Sequence, residues 1–131
     1  MALQLRLSGR LTAEVGERDT APANGSGDVP MLATSRLLSF AEAACCRAVE
    51  GHLEPGQTTV GTRVQLEHRL ASPQGTRLTV QATLAHLDGR SLRFEVLAED
   101  EQGRLVGHGQ VTRLVVNRDR FLERASHSDI A

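Results

Sequence analysis

Three side chains that can exchange protons or bind an oxyanion lie on or next to the apolar faces of predicted elements: Thr34, Glu42 and His68. His68 has the alternating parity of Val64 and Leu66, which predicts that its imidazole faces the core side of a strand. A histidine in such a position most often bonds to a backbone carbonyl, and the alternative is general acid–base catalysis. The elements that position these residues therefore decide between a structural and a chemical role.

Glu42 lies at the edge of the apolar stripe of a predicted helix, with no cation three or four residues away in sequence. Together with Ser39 it fits a capping box, which would start the helix near Phe40. The apolar stripe already includes Leu37, so we predict a start at Thr34 or at the residue after it. Glu42 is then left without a partner on its own helix.

A helix that starts at this point places the Thr34 hydroxyl at or next to the N-cap, where it would normally accept a backbone N–H. The same N-terminus has free N–H groups and a positive potential, which stabilise an oxyanion or a carboxylate. Capping and function both stay open for Thr34.

Arg113 shares its parity with Val111 and Val115, which predicts that the guanidinium points toward the helix side of its strand. A partly buried arginine requires an acidic or phosphate partner. Gly107 and Gly109 lie on the same predicted face and leave room for a helix or a ligand to approach the sheet. No helix follows this pair of glycines, so they do not form a phosphate-binding loop.

One long helix, predicted over residues 32–52, organises the chain. Its apolar positions recur with a helical period and cover about half of the circumference, so we expect it to be largely buried. These positions are Leu37, Leu38, Phe40, Ala41, Ala44, Cys45, Ala48 and Val49. Period-2 alternation and turn residues predict strands over residues 3–15, 60–70, 78–84, 92–98 and 104–116.

This order of elements predicts an α+β fold, an antiparallel meander wrapped around one central helix. We expect a single domain over residues 1–131. Residues 16–30 are rich in Gly, Pro and polar side chains and predict a long loop, a candidate lid. Residues 122–131 are expected to be a disordered tail, after one short helical turn. The open edges of such a sheet favour a homodimer.

The composition argues against several classes of function. The chain has no Trp, no Tyr and only three Phe, and its formal net charge is −1, so it lacks the stacking platforms and the basic field of a nucleic-acid-binding protein. Its first residues lack the apolar core of a signal peptide, and no run approaches the ~18 apolar residues of a membrane span. We therefore expect no nucleic acid and no membrane among its partners.

The cysteines and histidines predict neither a disulfide nor a metal centre. Cys45 and Cys46 are adjacent on the helix and point about 100° apart, which does not suit an ordinary disulfide or a metal pair. A reducing cytoplasm is the expected location. The five histidines have no zinc spacing, so no metal is expected.

Several of these residues together resemble one family. The segments that carry the resemblance are Ala33-Thr34, Glu42, Val60-Gly61-Thr62, His68 and Arg113. In order and spacing they are similar to the hotdog-fold thioesterases of the fluoroacetyl-CoA thioesterase-like family. The resemblance extends from about residue 7 to residue 121, which is nearly the whole chain.

The resemblance implies a hotdog homodimer, or a dimer of dimers, that hydrolyses short or medium acyl-CoA thioesters to the free acid and CoA. It implies that Thr34, Glu42 and His68 are catalytic. A carboxylate can act as base or as nucleophile, a histidine can move the proton, and a threonine hydroxyl can orient water or bind the carbonyl oxygen. Coenzyme A is part of the substrate, and no separate cofactor is expected.

The resemblance also implies residues that bind the substrate. Gly61 matches a glycine beside the thioester carbonyl, and Arg113 matches an arginine near the site. The aliphatic side chains of Leu38 and Val60 are expected to contribute to the walls of the acyl pocket.

The loop before the helix differs from the pattern that the resemblance implies. Aromatic lid residues are expected there, and none occurs between Gly16 and Met31. We therefore expect a general thioesterase rather than one specific for the fluoroacetyl group. The alternative is a non-catalytic hotdog module that binds acyl-CoA or serves in dimerisation. A hotdog hydratase is disfavoured, since the Asp and His pair of such an enzyme is not found.

Overall fold

The computed structural model describes residues 2–126, which form five strands and two α-helices. In chain order the elements are β1 (Ser8–Glu14), α1 (Thr34–Val49), β2 (Gln57–His68), β3 (Arg77–Asp88), β4 (Ser91–Asp100), β5 (Leu105–Asn117) and α2 (Arg118–Ser126). One antiparallel sheet packs against α1, which confirms the predicted α+β class. In the described part of the chain, no helix is long and apolar enough to cross a lipid bilayer.

The strands are arranged in the order β1-β3-β4-β5-β2, and all neighbouring pairs are antiparallel. β2 pairs with β5 and not with β3, so the predicted simple meander is wrong. The connection between β2 and β3, which contains the predicted turn residues, is therefore a crossover between non-adjacent strands and not a hairpin. Ser72 in this connection is buried, and its carbonyl accepts a hydrogen bond from the Leu32 N–H at 2.8 Å, just before α1. β1 and β2 are therefore the two edges of the sheet.

The core forms where α1 packs against the sheet. Its buried side chains are Leu37, Ala41, Ala44, Cys45, Ala48 and Val49. β1 approaches α1 so closely that a Cβ atom at Gly9 would overlap the backbone of Ala44 and Ala48. The small residues of this helix face therefore permit close contact between helix and sheet, as the sequence predicted.

The helix α1 begins at Thr34, with Ala33 in the N-cap position. The predicted early start is confirmed, and the alternative capping box near Phe40 is wrong. The N-cap residue makes no side-chain hydrogen bond. Instead, the N–H of Ala33 donates to the carbonyl of Asp19 at 2.8 Å, which ties the preceding loop to the start of the helix.

A β-bulge interrupts β2 near its middle. Gly61 pairs with Arg113, whereas Arg63 pairs with Thr112, so Thr62 is an extra residue on β2. The extra residue reverses the alternation of side chains along the strand. The prediction of one continuous alternation over residues 60–70 is therefore wrong.

Because of the bulge, Gly61 faces α1 near the start of β2, as His68 does at its end. A Cβ atom at Gly61 would lie 2.6 Å from Oε2 of Glu42, and His68 contacts Thr34. Val60 consequently lies on the face opposite to α1, whereas the sequence placed it on the face of His68. The side chain of Val60, which was predicted to form part of the acyl pocket, is therefore not on the inner face of its own protomer.

Two segments are more regular than the sequence predicted. Residues 16–30, predicted as a loop, contain two single-turn 3₁₀ helices, Glu17–Asp19 and Pro22–Asn24. The predicted disorder after residue 121 is wrong as far as Ser126, because α2 continues to that residue. The side chain of Asn117 accepts a hydrogen bond from the Arg120 N–H at 3.0 Å and so caps this helix. Residues 127–131 lie outside the described residues.

Candidate active site

Thr34 and His68 contact each other at one end of α1. The Oγ1 atom of Thr34 lies 2.8 Å from Nδ1 of His68, within hydrogen-bond distance. Thr34 is the first residue of α1 and His68 is the last residue of β2, so the helix and the edge strand each supply one partner. The hydroxyl of Thr34 therefore binds the imidazole instead of capping the helix. We call these two residues the threonine–histidine pair.

The environment of His68 favours the neutral imidazole. Burial lowers the pKa of His68 from its ordinary value of 6.5, because desolvation disfavours the charged ring, and the nearby backbone of Leu70 opposes this shift. The Nε2 atom is buried and has no hydrogen-bond partner among residues 2–126. A neutral ring that carries its proton on Nε2 can accept a hydrogen bond from the Thr34 hydroxyl through Nδ1. His68 can therefore act as a base at neutral pH.

Glu42 pairs with Arg113 across the inner face of the sheet. The Oε2 atom of Glu42 accepts a hydrogen bond from Nη1 of Arg113 at 3.0 Å. Thr59 holds the same guanidinium, because its Oγ1 accepts from Nε at 2.9 Å and its carbonyl accepts from Nη2 at 3.0 Å. Arg113 is only 8% exposed, so its charge needs this acidic partner. The prediction that Arg113 points toward the helix is confirmed, and we call it and Glu42 the carboxylate–arginine pair.

Gly61 provides the space that the carboxylate occupies. A Cβ atom at this position would come 2.6 Å from Oε2 of Glu42 and 3.4 Å from Nη1 of Arg113. The first distance is shorter than a normal non-bonded contact, so a side chain here would displace the carboxylate. The side chain of Glu42 is 36% exposed, and it is therefore accessible to a ligand.

Sequence analysis did not identify Thr59. It faces α1 only because the bulge comes after it, whereas an uninterrupted strand would place it opposite to His68. In the observed register Thr59 pairs with Val115, two residues from Arg113 on β5. No signal in the sequence gives the position of the bulge, so the contact could not be predicted.

One protomer does not bring the three predicted catalytic residues together. Thr34 and Glu42 are eight residues apart on α1, a rise of about 12 Å along the helix axis. Between them, Leu37 and Ala41 border an apolar cavity of about 10 Å³ that also contacts Leu66 of β2. The candidate site therefore consists of two polar pairs on either side of a narrow apolar space.

Two other side chains of α1 bear on the possible chemistry. Leu38 is partly buried and packs against the hydrophobic core, and its role in substrate binding stays a prediction. Cys45 is fully buried, and burial raises the pKa of its thiol to about 12, so it is not a nucleophile at neutral pH. Among the described residues, no group of three His, Cys, Asp or Glu side chains is arranged to hold a metal ion.

Asp19 positions the start of α1, and sequence analysis did not identify it either. Its buried carboxylate accepts hydrogen bonds from Nε of Arg36 at 2.9 Å and from the Gly16 N–H at 2.8 Å. Its carbonyl binds the N–H of Ala33, the residue before Thr34. An acidic residue in a segment rich in Gly and Pro normally indicates an exposed loop, so the sequence contained no signal for this contact.

Comparisons with known proteins identify the family of this chain. Residues 15–119 match the family FlK, described as fluoroacetyl-CoA-specific thioesterase. The fluoroacetyl-CoA thioesterase of Streptantibioticus cattleyicolor is 35% identical over 91 residues, which are 70% of this chain and 65% of that protein. This chain therefore matches somewhat less than two thirds of the length of that relative.

Solved structures show the same fold. A threonine-to-serine mutant of fluoroacetyl-CoA FlK in complex with acetyl-CoA has a TM-score of 0.89 at 25% identity, covering 95% of this chain and 98% of that one. A hot-dog-like protein from Thermanaerovibrio acidaminovorans has a TM-score of 0.85 at 20% identity, covering 94% and 90% of the two chains. The predicted hotdog fold is confirmed, and the chain belongs to the FlK family of fluoroacetyl-CoA-specific thioesterases.

Proposed function

We propose that this chain hydrolyses short acyl-CoA thioesters to the free acid and CoA. The observation that carries the proposal is the carboxylate of Glu42, which Arg113 holds above Gly61, a position without a side chain. The carboxylate fills the space over this glycine and is still 36% exposed, so it can bind a water molecule next to a thioester carbonyl. Membership of a thioesterase family supports the same reaction.

In the proposed reaction, water attacks the thioester carbonyl while Glu42 accepts one of its protons. The carbonyl oxygen becomes an oxyanion, and the Thr34 hydroxyl turns from Nδ1 of His68 to donate a hydrogen bond to it. The C–S bond then breaks, and neutral His68 passes the proton from Glu42 to the departing CoA sulfur, accepting it on one ring nitrogen and releasing one from the other, so that the acid and the thiol are released. Glu42 is then a carboxylate and His68 a neutral imidazole again, so both groups have returned to their starting state.

A second course is open to the same carboxylate. Glu42 can attack the carbonyl itself, expel CoA thiolate and form a mixed anhydride that water then hydrolyses. A single turnover in oxygen-labelled water distinguishes the two courses. Direct attack of water labels the product acid, whereas attack of water on the Glu42 carbonyl of the anhydride leaves the label in the protein.

We also propose that the protein is a homodimer or a dimer of dimers. β2 is a twelve-residue edge strand with one row of unpaired backbone groups. Val64, which comes after the bulge and faces α1, is nevertheless 40% exposed. Antiparallel two-fold pairing of two β2 strands, centred between residues 64 and 65, would set Gly61 of each copy opposite residue 68 of the other. Such pairing would bring the two polar pairs, which are about 12 Å apart in one protomer, into one site.

Release of CoA thiol from acetyl-CoA under steady-state conditions tests the proposed activity. Glu42→Gln should lose most of the turnover, because it keeps the shape of the side chain and removes its charge. Glu50→Gln is the matched control, since Glu50 is an exposed carboxylate just after the last residue of the same helix. Equal turnover in wild type and Glu42→Gln would contradict the proposal.

The competing function is a non-catalytic module that binds acyl-CoA or serves in dimerisation. The separation of the two polar pairs within one protomer is the observation that favours it. It predicts saturable binding of acyl-CoA with no release of thiol above the rate in buffer. Titration of acetyl-CoA alongside the turnover assay therefore separates the two functions.

We propose that the protein acts in the cytoplasm. Cys45 and Cys46 are both free thiols, and free cysteines are typical of reducing compartments. Recovery of the protein in the membrane or extracellular fraction of fractionated cells would contradict this location.

A further inference from the structure

A cationic cavity lies where β5 passes into α2. It has a volume of about 130 Å³, and it is lined by Arg90, Val116, Asn117, Arg120, Phe121 and Arg124. Three arginines and one aromatic ring therefore border the same space. None of the predicted catalytic residues lines it, so the cavity is distinct from the two polar pairs.

The arginines of this cavity lack an acidic partner in the described part of the chain. Among residues 2–126, no carboxylate oxygen lies within 4.0 Å of the guanidinium of Arg90, Arg120 or Arg124. Arg120 and Arg124 are four residues apart and share one face of α2, whereas Asp119 and Glu123 form the neighbouring row. Like charges at this spacing destabilise a helix. An anion bound between the arginines would remove that repulsion.

The arginines are attached to main chain that is held in place. The carbonyl of Arg90, in the turn between β3 and β4, accepts a hydrogen bond from the Val115 N–H at 2.8 Å. Asn117 caps α2 by accepting from the Arg120 N–H at 3.0 Å. The three arginines therefore line the cavity from two elements with anchored main chain, which reduces the backbone entropy lost when a ligand binds.

The aromatic ring indicates which anion suits the cavity. Phe121 lines the cavity and is 40% exposed, so part of its ring is available to contact a planar group. Guanidinium groups bind phosphate oxygens in pairs of hydrogen bonds. Phosphate next to a stacking purine is the chemistry of a nucleotide. The cavity is smaller than the ~300–1,000 Å³ of a site that buries a whole ligand, which suits one end of a longer molecule.

The position of the cavity relates it to the carboxylate–arginine pair. Arg113 and Val116 both lie on β5, and Val116 lines the cavity, so the cavity begins three residues along β5 from that pair. This separation corresponds to about 10 Å along an antiparallel strand. A CoA thioester has its reactive carbonyl at one end of the pantetheine arm and its phosphates and adenine at the other.

We propose that this cavity binds the phosphate-bearing nucleotide of CoA, with the arginines on phosphate oxygens and Phe121 against the adenine. The proposal rests on the proposed thioesterase function, because that function supplies the ligand. The nucleotide would contribute binding energy without taking part in the reaction. Removal of the cavity charges should therefore raise KM and leave kcat unchanged.

The test uses the double variant Arg120→Gln/Arg124→Gln in the full chain. Glutamine and arginine have similar helix propensity, so α2 should be retained, which circular dichroism checks. We expect KM for acetyl-CoA to rise about 10-fold or more, since each arginine contributes charge-assisted hydrogen bonds. Arg77→Gln is the matched control, because Arg77 is exposed on β3, forms no salt bridge among residues 2–126 and does not line the cavity.

Shortened substrates identify the phosphate that binds. Acetyl-N-acetylcysteamine lacks the nucleotide, so its kcat/KM should be the same in wild type and in the double variant. If the 3′-phosphate occupies the cavity, acetyl-dephospho-CoA should also be insensitive to the variant; if the diphosphate occupies it, the rise in KM should persist. An unchanged KM for acetyl-CoA, or an equal loss with acetyl-N-acetylcysteamine, would overturn the proposal.

A binding measurement separates this proposal from the proposed function. Adenosine 3′,5′-bisphosphate, titrated by calorimetry, should bind wild type and lose about 10-fold or more in affinity in the double variant. Phe121→Leu keeps an apolar side chain and removes the ring, and it should weaken binding of the same ligand. If these shifts occur in a protein that hydrolyses no thioester, the nucleotide site stands and the proposed function fails. If wild type does not bind the bisphosphate, the nucleotide site is wrong whatever the activity.

Discussion

Replacement of Gly61 by alanine is a direct probe of the carboxylate that we assign to catalysis. The new Cβ atom would lie 2.6 Å from Oε2 of Glu42, whereas ordinary contacts begin at 3.4 Å. The carboxylate must therefore move by roughly 0.8 Å, the difference between these two distances. This movement disturbs its 3.0 Å hydrogen bond with Arg113. Since a misplacement of about 1 Å can reduce rates by ~10²-fold, we expect kcat to fall about 10- to 100-fold.

The assay is the release of CoA thiol from acetyl-CoA, combined with urea unfolding of the same preparations. Loss of the partner of a buried guanidinium should cost about 1–3 kcal/mol of unfolding free energy, and less if the flexible Glu42 side chain re-forms the bond. Gly16→Ala is the control, because its Cβ atom would lie 3.6 Å from the Asp19 carboxylate, an ordinary contact. Gly16→Ala should keep the kcat of wild type. If Gly61→Ala also keeps the kcat of wild type, the reasoning is refuted.

Three further results are expected. Glu42→Gln and His68→Ala should each lower kcat by ~10²-fold or more, with Glu50→Gln unchanged, because general acid–base groups contribute 10²–10⁴-fold; wild-type turnover in the folded variants would contradict the assignment. Burial lowers the pKa of His68 from 6.5, so the unfolded chain binds the proton more readily, and stability should be full above pH 6.5 and fall as the pH drops toward the folded-state pKa; thermal melts of His68→Ala should lack that fall. Acetyl-CoA should be hydrolysed with a kcat/KM comparable to, or above, that of fluoroacetyl-CoA, because aliphatic pockets discriminate only ~10–200-fold per methylene; a preference near 10⁴-fold for the fluorinated substrate would refute this.

The parts of the fold that depend on periodicity were predictable. The apolar stripe of α1 determined which face is buried, and the parity of Arg113 on β5 correctly placed its guanidinium toward the helix. Both inferences use regular geometry within one element, where each side chain follows from its neighbours. The sequence predicted that Arg113 has an acidic or phosphate partner. It did not predict that this partner is Glu42, because that contact depends on how the helix lies on the sheet.

Contacts between distant segments were not predictable in the same way. The pairing of β2 with β5 depends on a crossover of the chain, and turn residues such as Pro73 are equally compatible with a hairpin. The buried contacts of Asp19 depend on Arg36, 17 residues further along the chain. Neither feature leaves a local pattern in the sequence, since the energy that fixes it comes from tertiary packing.

The extra residue in β2 links the fold to the composition of the site. In a regular strand, residues 61 and 68 have opposite parity, so only one of them could face α1. The bulge at Thr62 reverses the alternation between them, and both the glycine beneath Glu42 and the histidine beside Thr34 can then lie on the inner face. Gly61 and His68 can therefore share the inner face only with an extra residue between them. A family member without this bulge would keep one of these two positions on the inner face and turn the other toward the outer face of the sheet.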